Sequence, residues 1–177
     1  MATPSIRRYD PRDAEAVWRL HELAFRDLPT DPSDIPGTDD LRDVEAAYLD
    51  AGGEFLVGVL PDGEASPAAP RTRDGALVAM GGFLPSAAGH DDERTVEGAA
   101  ELHRMRVAPA HQGAGHGRAI LDALEDGIRE AGLTPALATT AKRQERAVAF
   151  YAAAGYARVG TSTEGDYELV HFEKRLE

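Results

Sequence analysis

Residues 107–121 read VAPAHQGAGHGRAIL. A strand-like end gives way to a turn containing proline, then to glycine at every second position, Gly113, Gly115 and Gly117, and then to a helical pattern. This junction constrains the fold more than any other stretch, because it requires a strand that feeds a helix through a loop nearly stripped of side chains. The first amides of such a helix lack carbonyl partners, and the aligned peptide dipoles place partial positive charge there. With no side chains at the glycines, an anion can approach those amides, and Arg118 would add a charge-assisted bond to a phosphoryl group. The plainer reading is a tight turn and nothing more. Two other nucleotide motifs fail on the residues themselves. A nucleoside triphosphate loop needs Lys and then Ser or Thr after its last glycine, where this chain has Arg118 and Ala119; a dinucleotide fingerprint begun at Gly113 and Gly115 needs glycine at position 118.

The remaining elements follow from periodicity and punctuation. Residues 5–9 form a strand, and Asp10 as cap with Pro11 in the first turn opens a helix to about residue 26, with Val17, Leu20, Leu23 and Ala24 on one stripe beside Trp18 and Phe25. Residues 27–37 hold three prolines and are a loop. A second helix over residues 39–50 presents Leu41, Val44, Ala47, Tyr48 and Leu49, and Gly52 and Gly53 stop it. Strands at 55–60, 76–84 and 96–107 are separated by two polar loops, 61–74 and 85–94; the first offers nothing to bury, and neither is apolar enough for a crossover helix. Residues 115–131 are a helix with Ile120, Leu121, Leu124 and Ile128 on one side. A strand at 135–139, a helix at 143–153 and strands at 156–159 and 167–172, parted by GTSTEGD, close the chain. This order predicts a mixed, mostly antiparallel, twisted sheet flanked by about four helices, an α/β or α+β fold in one domain over residues 1–177.

Composition narrows the function. The chain has no cysteine, which removes disulfides, thiolate ligands and a cysteine nucleophile. Against 19 Lys and Arg stand 31 Asp and Glu, a net charge of −12 that repels a nucleic-acid backbone. Only Lys142 and Lys174 are lysines, and so acidic a balance suits a salt-loving source, in which most carboxylates serve solvation and not catalysis. No run reaches the length of a membrane span, and the N-terminus carries no apolar stretch after its basic residues, so a cytoplasmic protein is expected. His21 and His171 have no second ligand at a useful spacing, and no metal is assigned.

Gln112, Gly113, Ala114, Gly115, His116 and Gly117 resemble the signature of the GNAT family of N-acetyltransferases: Gln or Arg, two variable residues, Gly, one variable residue, then Gly or Ala. Residues 102–109 and the segment AVAFYAAAGY at 147–156 match as well, and the order of elements resembles the family over nearly the whole chain. The resemblance implies a GNAT-like fold and transfer of the acetyl group of acetyl-CoA to a primary amine by direct attack in a ternary complex. It places the cofactor pyrophosphate on residues 112–118. It places the acetyl carbonyl at the Met105 amide, and the pantetheine beside Val107, in a gap opened by a bulge between the strand ending at Val107 and its parallel partner at 135–139. Gln144 stands where the family commonly has Asn, and its longer amide can still reach the pantetheine. Tyr151, in the Phe-Tyr segment, would give a proton to the leaving thiolate; taken alone, it is an aromatic that packs helix against sheet.

The amine needs a base. Glu101 resembles the glutamate that some members use through a water molecule, and His103 lies two residues on, on the same strand face unless the bulge breaks the alternation. A carboxylate near its ordinary 4.3 is a weak base unless burial raises it, whereas histidine starts near 6.5. Either residue also reads as a solvated or structurally bonded group on a partly exposed strand. The acceptor is an amine-bearing small molecule or peptide, with Asp27, Asp31, Asp34, Asp39 and Asp40 either as a negative lining that would draw a cation or as part of a salt-adapted acidic surface. Monomer and homodimer are both compatible. The alternative from another class is a CoA-binding or regulatory module that keeps the fold without catalysis.

Overall fold

A computed structural model describes residues 3–26, 38–88 and 94–177. The predicted loop at 27–37, with Asp27, Asp31 and Asp34, and residues 89–93 lie outside the described residues. Strand β1, Ser5–Arg8, ends where Asp10 caps the turn Pro11–Asp13: its side chain accepts from the Arg12 amide, and the Asp13 carboxylate accepts from the Asp10 amide at 2.9 Å. Helix α1, Ala14–Phe25, then buries Val17, Leu20, His21 and Phe25 on one face, Leu20 and His21 lying three and four residues after Val17, while Leu23 and Ala24 of the predicted stripe are only half-buried.

The predicted helix at 39–50 is a 3-10 turn, Thr38–Arg42, followed by a π-helical turn, Glu45–Leu49. Leu41, Val44 and Tyr48 are buried as their spacing implied, yet the Asp50 and Gly53 amides bond to carbonyls five residues back, at 2.9 and 2.8 Å. Apolar positions three and four apart are kept by either kind of turn, so periodicity does not separate them.

The chain continues through β2 (Glu54–Leu60), β3 (Arg71–Thr72), β4 (Gly75–Pro85), β5 (Ala100–Val107), α2 (His116–Glu130), β6 (Ala136–Ala141), α3 (Glu145–Ala153), β7 (Ala157–Glu164) and β8 (Tyr167–Lys174). The strands are hydrogen-bonded in the order β1-β2-β4-β5-β6-β8-β7, with β3 paired to β4 off that path. β5 and β6 run parallel, whereas β1 with β2, β3 with β4, β6 with β8 and β7 with β8 run antiparallel. The predicted mixed sheet of an α/β fold is therefore present, accompanied among the described residues by three α-helices and the helical turns at 38–49.

Two compact units share these elements: Met1–Gly82 with Arg104–Leu124, and Phe83–His103 with Glu125–Glu177. In the first, the loop 61–74 departs from the expectation that it buries nothing, since Ala69 packs with Leu60, Ala76 and Val78. Its small residues let backbone and methyl groups lie against the sheet, a contribution that polarity alone hides. The Arg7 guanidinium fastens β1 to the turn before α1 through the buried Asp13 carboxylate, at 2.6 and 2.9 Å, and to this loop through Asp74 at 2.9 Å. In the second unit, the strand predicted from residue 96 begins only at Ala100, because Gly98 turns the chain with φ 76°. GTSTEGD, predicted as a connection, is largely strand: β7 runs to Glu164 and pairs with β8 up to Tyr167. β7 is exposed nearly throughout, so it carries no apolar alternation to read. Glu125 of α2 is buried there, receiving Tyr156 Oη at 3.0 Å and Lys174 Nζ at 2.9 Å.

Candidate active site

In the first unit, β5 ends at Val107, and the Ala108 amide donates to Val78 O at 2.8 Å. The turn Pro109–His111 follows, and Gln112 is extended with φ −68° and ψ 148°. Gly113 and Gly115 take φ 79° and 89°, values that a residue with a Cβ adopts only under strain, and a Cβ built at either meets no atom within 4 Å. Ala114 lies between them, half-buried. Helix α2, 15 residues long, starts at His116, and the Ala119 amide already bonds to Gly115 O at 3.0 Å, so residues 116–118 form the first turn, whose amides point out of the helix N-terminus towards the loop. Open space over left-handed glycines ahead of a helix N-terminus suits a pyrophosphate.

The electrostatics of this loop rest on amides more than on side chains. Burial, together with the neighbouring His111, holds the His116 imidazole below its ordinary pKa, so it adds no full positive charge at neutral pH. His111 Nε2 accepts from the Ser66 amide at 2.9 Å, which ties the turn before the loop to residues 61–74. Arg118 Nε donates to Asp122 Oδ1 at 2.9 Å one helical turn on, and the pair is exposed on the outer side of the helix. Met105 and Val107 are half-buried on β5. The Met105 sulfur lies so close to Gly81 that a Cβ there would overlap it. Arg104, which sequence reasoning passed over, has φ 55° and is the only non-glycine residue with positive φ among the described residues. Its left-handed backbone interrupts the extended conformation of β5 at that residue.

The second unit holds the other candidates. Glu101 and His103 are buried, with exposures of 1% and 6%, which rules out the solvated strand residues of the plainer reading. Leu102 is buried as well, so both faces of β5 are covered here. The left-handed residue comes after His103, so Glu101 and His103 keep their common face. The parallel ladder with β6 registers Ala100 with Ala136 and Glu101 with Leu137. Gln144 precedes α3, and its Oε1 accepts from Thr140 Oγ1 at 3.4 Å. Tyr151 is buried among Phe150, Tyr156 and Phe172, with ring centroids 5.3–5.7 Å away.

The acidic lining expected around the acceptor is reduced. Asp39 is exposed, but the Asp40 carboxylate is bonded to Arg104 Nε and to the Tyr48 hydroxyl and is not free to draw a cation. His21 is packed between Trp18 and Phe25, and His171 is held by Thr139 and Ser162 at 3.0 and 2.7 Å. Among the described residues no group of three or more His, Asp or Glu side chains is arranged for a metal, and no helix is long and apolar enough to cross a membrane.

A sequence model of the acetyltransferase (GNAT) family matches residues 17–156. The chain belongs to the acetyltransferase (GNAT) family. It is accordingly an acetyl-CoA-dependent N-acetyltransferase that acts on amines, and the loop at 112–118 lies inside the matched segment. Solved structures share the fold. A GNAT acetyltransferase from Staphylococcus aureus superposes with a TM-score of 0.72 at 16% identity, covering 98% of this chain and 99% of its own. A protein from Salmonella typhimurium, solved with its cofactor acetyl-CoA, gives 0.70 at 19% identity, covering 99% and 95%. A ribosomal-protein-alanine N-acetyltransferase from Brucella melitensis gives 0.69 at 20% identity, covering 97% and 99%. At these identities the likeness speaks for the fold alone. No curated protein matches the chain significantly.

Proposed function

We propose that this acetyltransferase holds acetyl-CoA by its pyrophosphate on residues 112–118 and transfers the acetyl group directly to a primary amine in a ternary complex. The observation that carries this reading is the pair of left-handed glycines with open space above them at the start of α2. Acetyl-CoA supplies the acetyl thioester. Gln112, Gly113, Ala114, Gly115, His116, Gly117 and Arg118 bind the phosphates, mainly through backbone amides. Val107 and Gln144 flank the pantetheine, and the Met105 amide donates to the acyl oxygen as charge develops on it. Glu101 takes the amine proton through a water molecule, with His103 as the second candidate for that role. A carbon–nitrogen bond forms, the carbon–sulfur bond breaks, and Tyr151 gives its phenolic proton to the thiolate.

The acceptor is an amine-bearing small molecule or peptide, and one domain over residues 1–177 carries the reaction as a monomer or homodimer in the cytoplasm. The excess of acidic over basic residues supports a salt-adapted source, and full stability in dilute buffer would count against that.

Tyr151→Phe tests the chemistry, because it keeps the packed ring and removes only the hydroxyl. Turnover should fall by roughly 10²-fold with little change in acetyl-CoA affinity. Near-normal turnover would assign the ring to packing and leave water or the amine as the proton source.

A further inference from the structure

Arg104 sits in a strand with φ 55°, a conformation in which its Cβ crowds the following carbonyl. Such a residue persists only where its surroundings over-determine it. Here the surroundings are explicit. Arg104 Nε lies 3.2 and 3.1 Å from the two Asp40 carboxylate oxygens, and Asp40 Oδ2 also accepts from the Tyr48 hydroxyl. The two charged side chains are only 12% and 8% exposed, and Tyr48 is fully buried. At that burial, removal of either charge strands the other, so the pair holds its geometry.

The neighbouring residues hold the peptide that follows Met105 and the Met105 side chain. A left-handed residue turns the next peptide out of the regular ladder, so Arg104 sets the direction of the Met105 amide. Met105 O accepts from Arg106 Nη1 at 2.9 Å, and the Arg106 guanidinium stacks on Phe25 at 4.7 Å from the ring centroid. The Met105 side chain is seated in the space left by the absent side chain of Gly81.

We infer that Arg104, locked by Asp40 and Tyr48, is a positioning residue that aims the Met105 amide at the acyl oxygen, and so couples the helical turns at 38–49 to the carbonyl-polarising donor. This rests on the reading of Met105 given above. Asp40, which sequence alone reads either as attracting the acceptor or as part of an acidic surface, serves instead to hold the left-handed turn of the strand.

The test compares two ligands, acetyl-CoA and CoA, by calorimetry on wild type, Asp40→Asn and Arg104→Gly, because only acetyl-CoA carries the carbonyl. Asp40→Asn keeps the shape and removes the charge; Arg104→Gly permits the left-handed conformation without enforcing it. Each should weaken acetyl-CoA by about tenfold, the worth of one hydrogen bond, and leave CoA within about twofold. The double variant should be no worse than either single one, as expected for residues acting as a unit. Should a charge variant fail to fold, Tyr48→Phe loosens the lock by one hydroxyl and should shift the ratio of the two affinities in the same direction by about threefold. Equal weakening of both ligands, or no change in either, overturns the positioning role. If wild type binds neither ligand, the reading of the acetyl-CoA site itself fails, a result distinct from any outcome in the variants.

Discussion

Gly115→Asp separates the backbone and electrostatic demands of the phosphate loop. At φ 89° any residue with a Cβ is strained, which costs about 1–2 kcal/mol. No protein atom lies within 4 Å of the added Cβ, so there is no steric term to add. Against a stability of about 5–15 kcal/mol the variant should still fold. The charge is the larger effect on binding. A carboxylate about 4 Å from one phosphate charge, at an effective dielectric near 20, is worth about 4 kcal/mol of repulsion. Screening at an exposed loop leaves roughly half of that, or about 30-fold in Kd. Gly165 provides the control: it has φ 59°, equally open surroundings, and a place in the turn between β7 and β8. Ala and Asp at both positions, titrated with acetyl-CoA at two ionic strengths, should show similar losses of stability but a loss of affinity only at position 115. The penalty of Asp relative to Ala at that position should shrink in high salt. A folded Gly115→Asp protein that binds within twofold of wild type would refute the assignment of the loop.

Glu101→Gln should flatten the acidic limb of the turnover profile while cofactor binding persists; if it does not and His103→Gln does, the two roles are exchanged. Gly81→Ala drives a methyl into the Met105 sulfur and to 3.0 Å from Ile120 and 3.1 Å from Leu124, so urea unfolding should report a loss of about 1–3 kcal/mol; an unchanged midpoint would mean that the strand yields there. Arg7 holds the Asp74 carboxyl down to about 2, and burial lowers His116, so both groups take protons more readily when unfolded. The His116 contribution is then present above about pH 6.5 and fades below it, whereas that of Asp74 is present above about pH 4 and fades towards pH 2. Urea midpoints should fall from pH 7.5 to 5.5 to 3, and a midpoint that rises on acidification to 5.5 would contradict the sign.

Elements with a buried stripe or a sharp punctuation mark were readable from sequence. The helix of Val17 and Leu20, the glycine loop with its helix, and β4 all carry such marks, and the parallel partner of β5 followed from the family resemblance. β7 was not fully readable, because an exposed edge strand buries neither face. Nor was the π-helical turn at Glu45–Leu49, whose apolar spacing matches that of an ordinary helix. At the candidate site, Gly113 and Gly115 announce their conformation by residue type, since left-handed φ is their ordinary use. Arg104 gives no such signal. Its conformation is imposed by Asp40, 64 residues earlier, and an acidic residue in an acidic chain gives no hint of a long-range partner.

Amine-dependent release of free thiol from acetyl-CoA tests the central claim most directly. Wild-type protein mixed with acetyl-CoA and a panel of small amines and peptides should release one thiol per acetylated amine with at least one acceptor, and thiol release should fall to background when the amine is left out. Tight binding of acetyl-CoA with no release above background across the whole panel would contradict the account and leave a coenzyme-binding module that keeps the fold without the reaction.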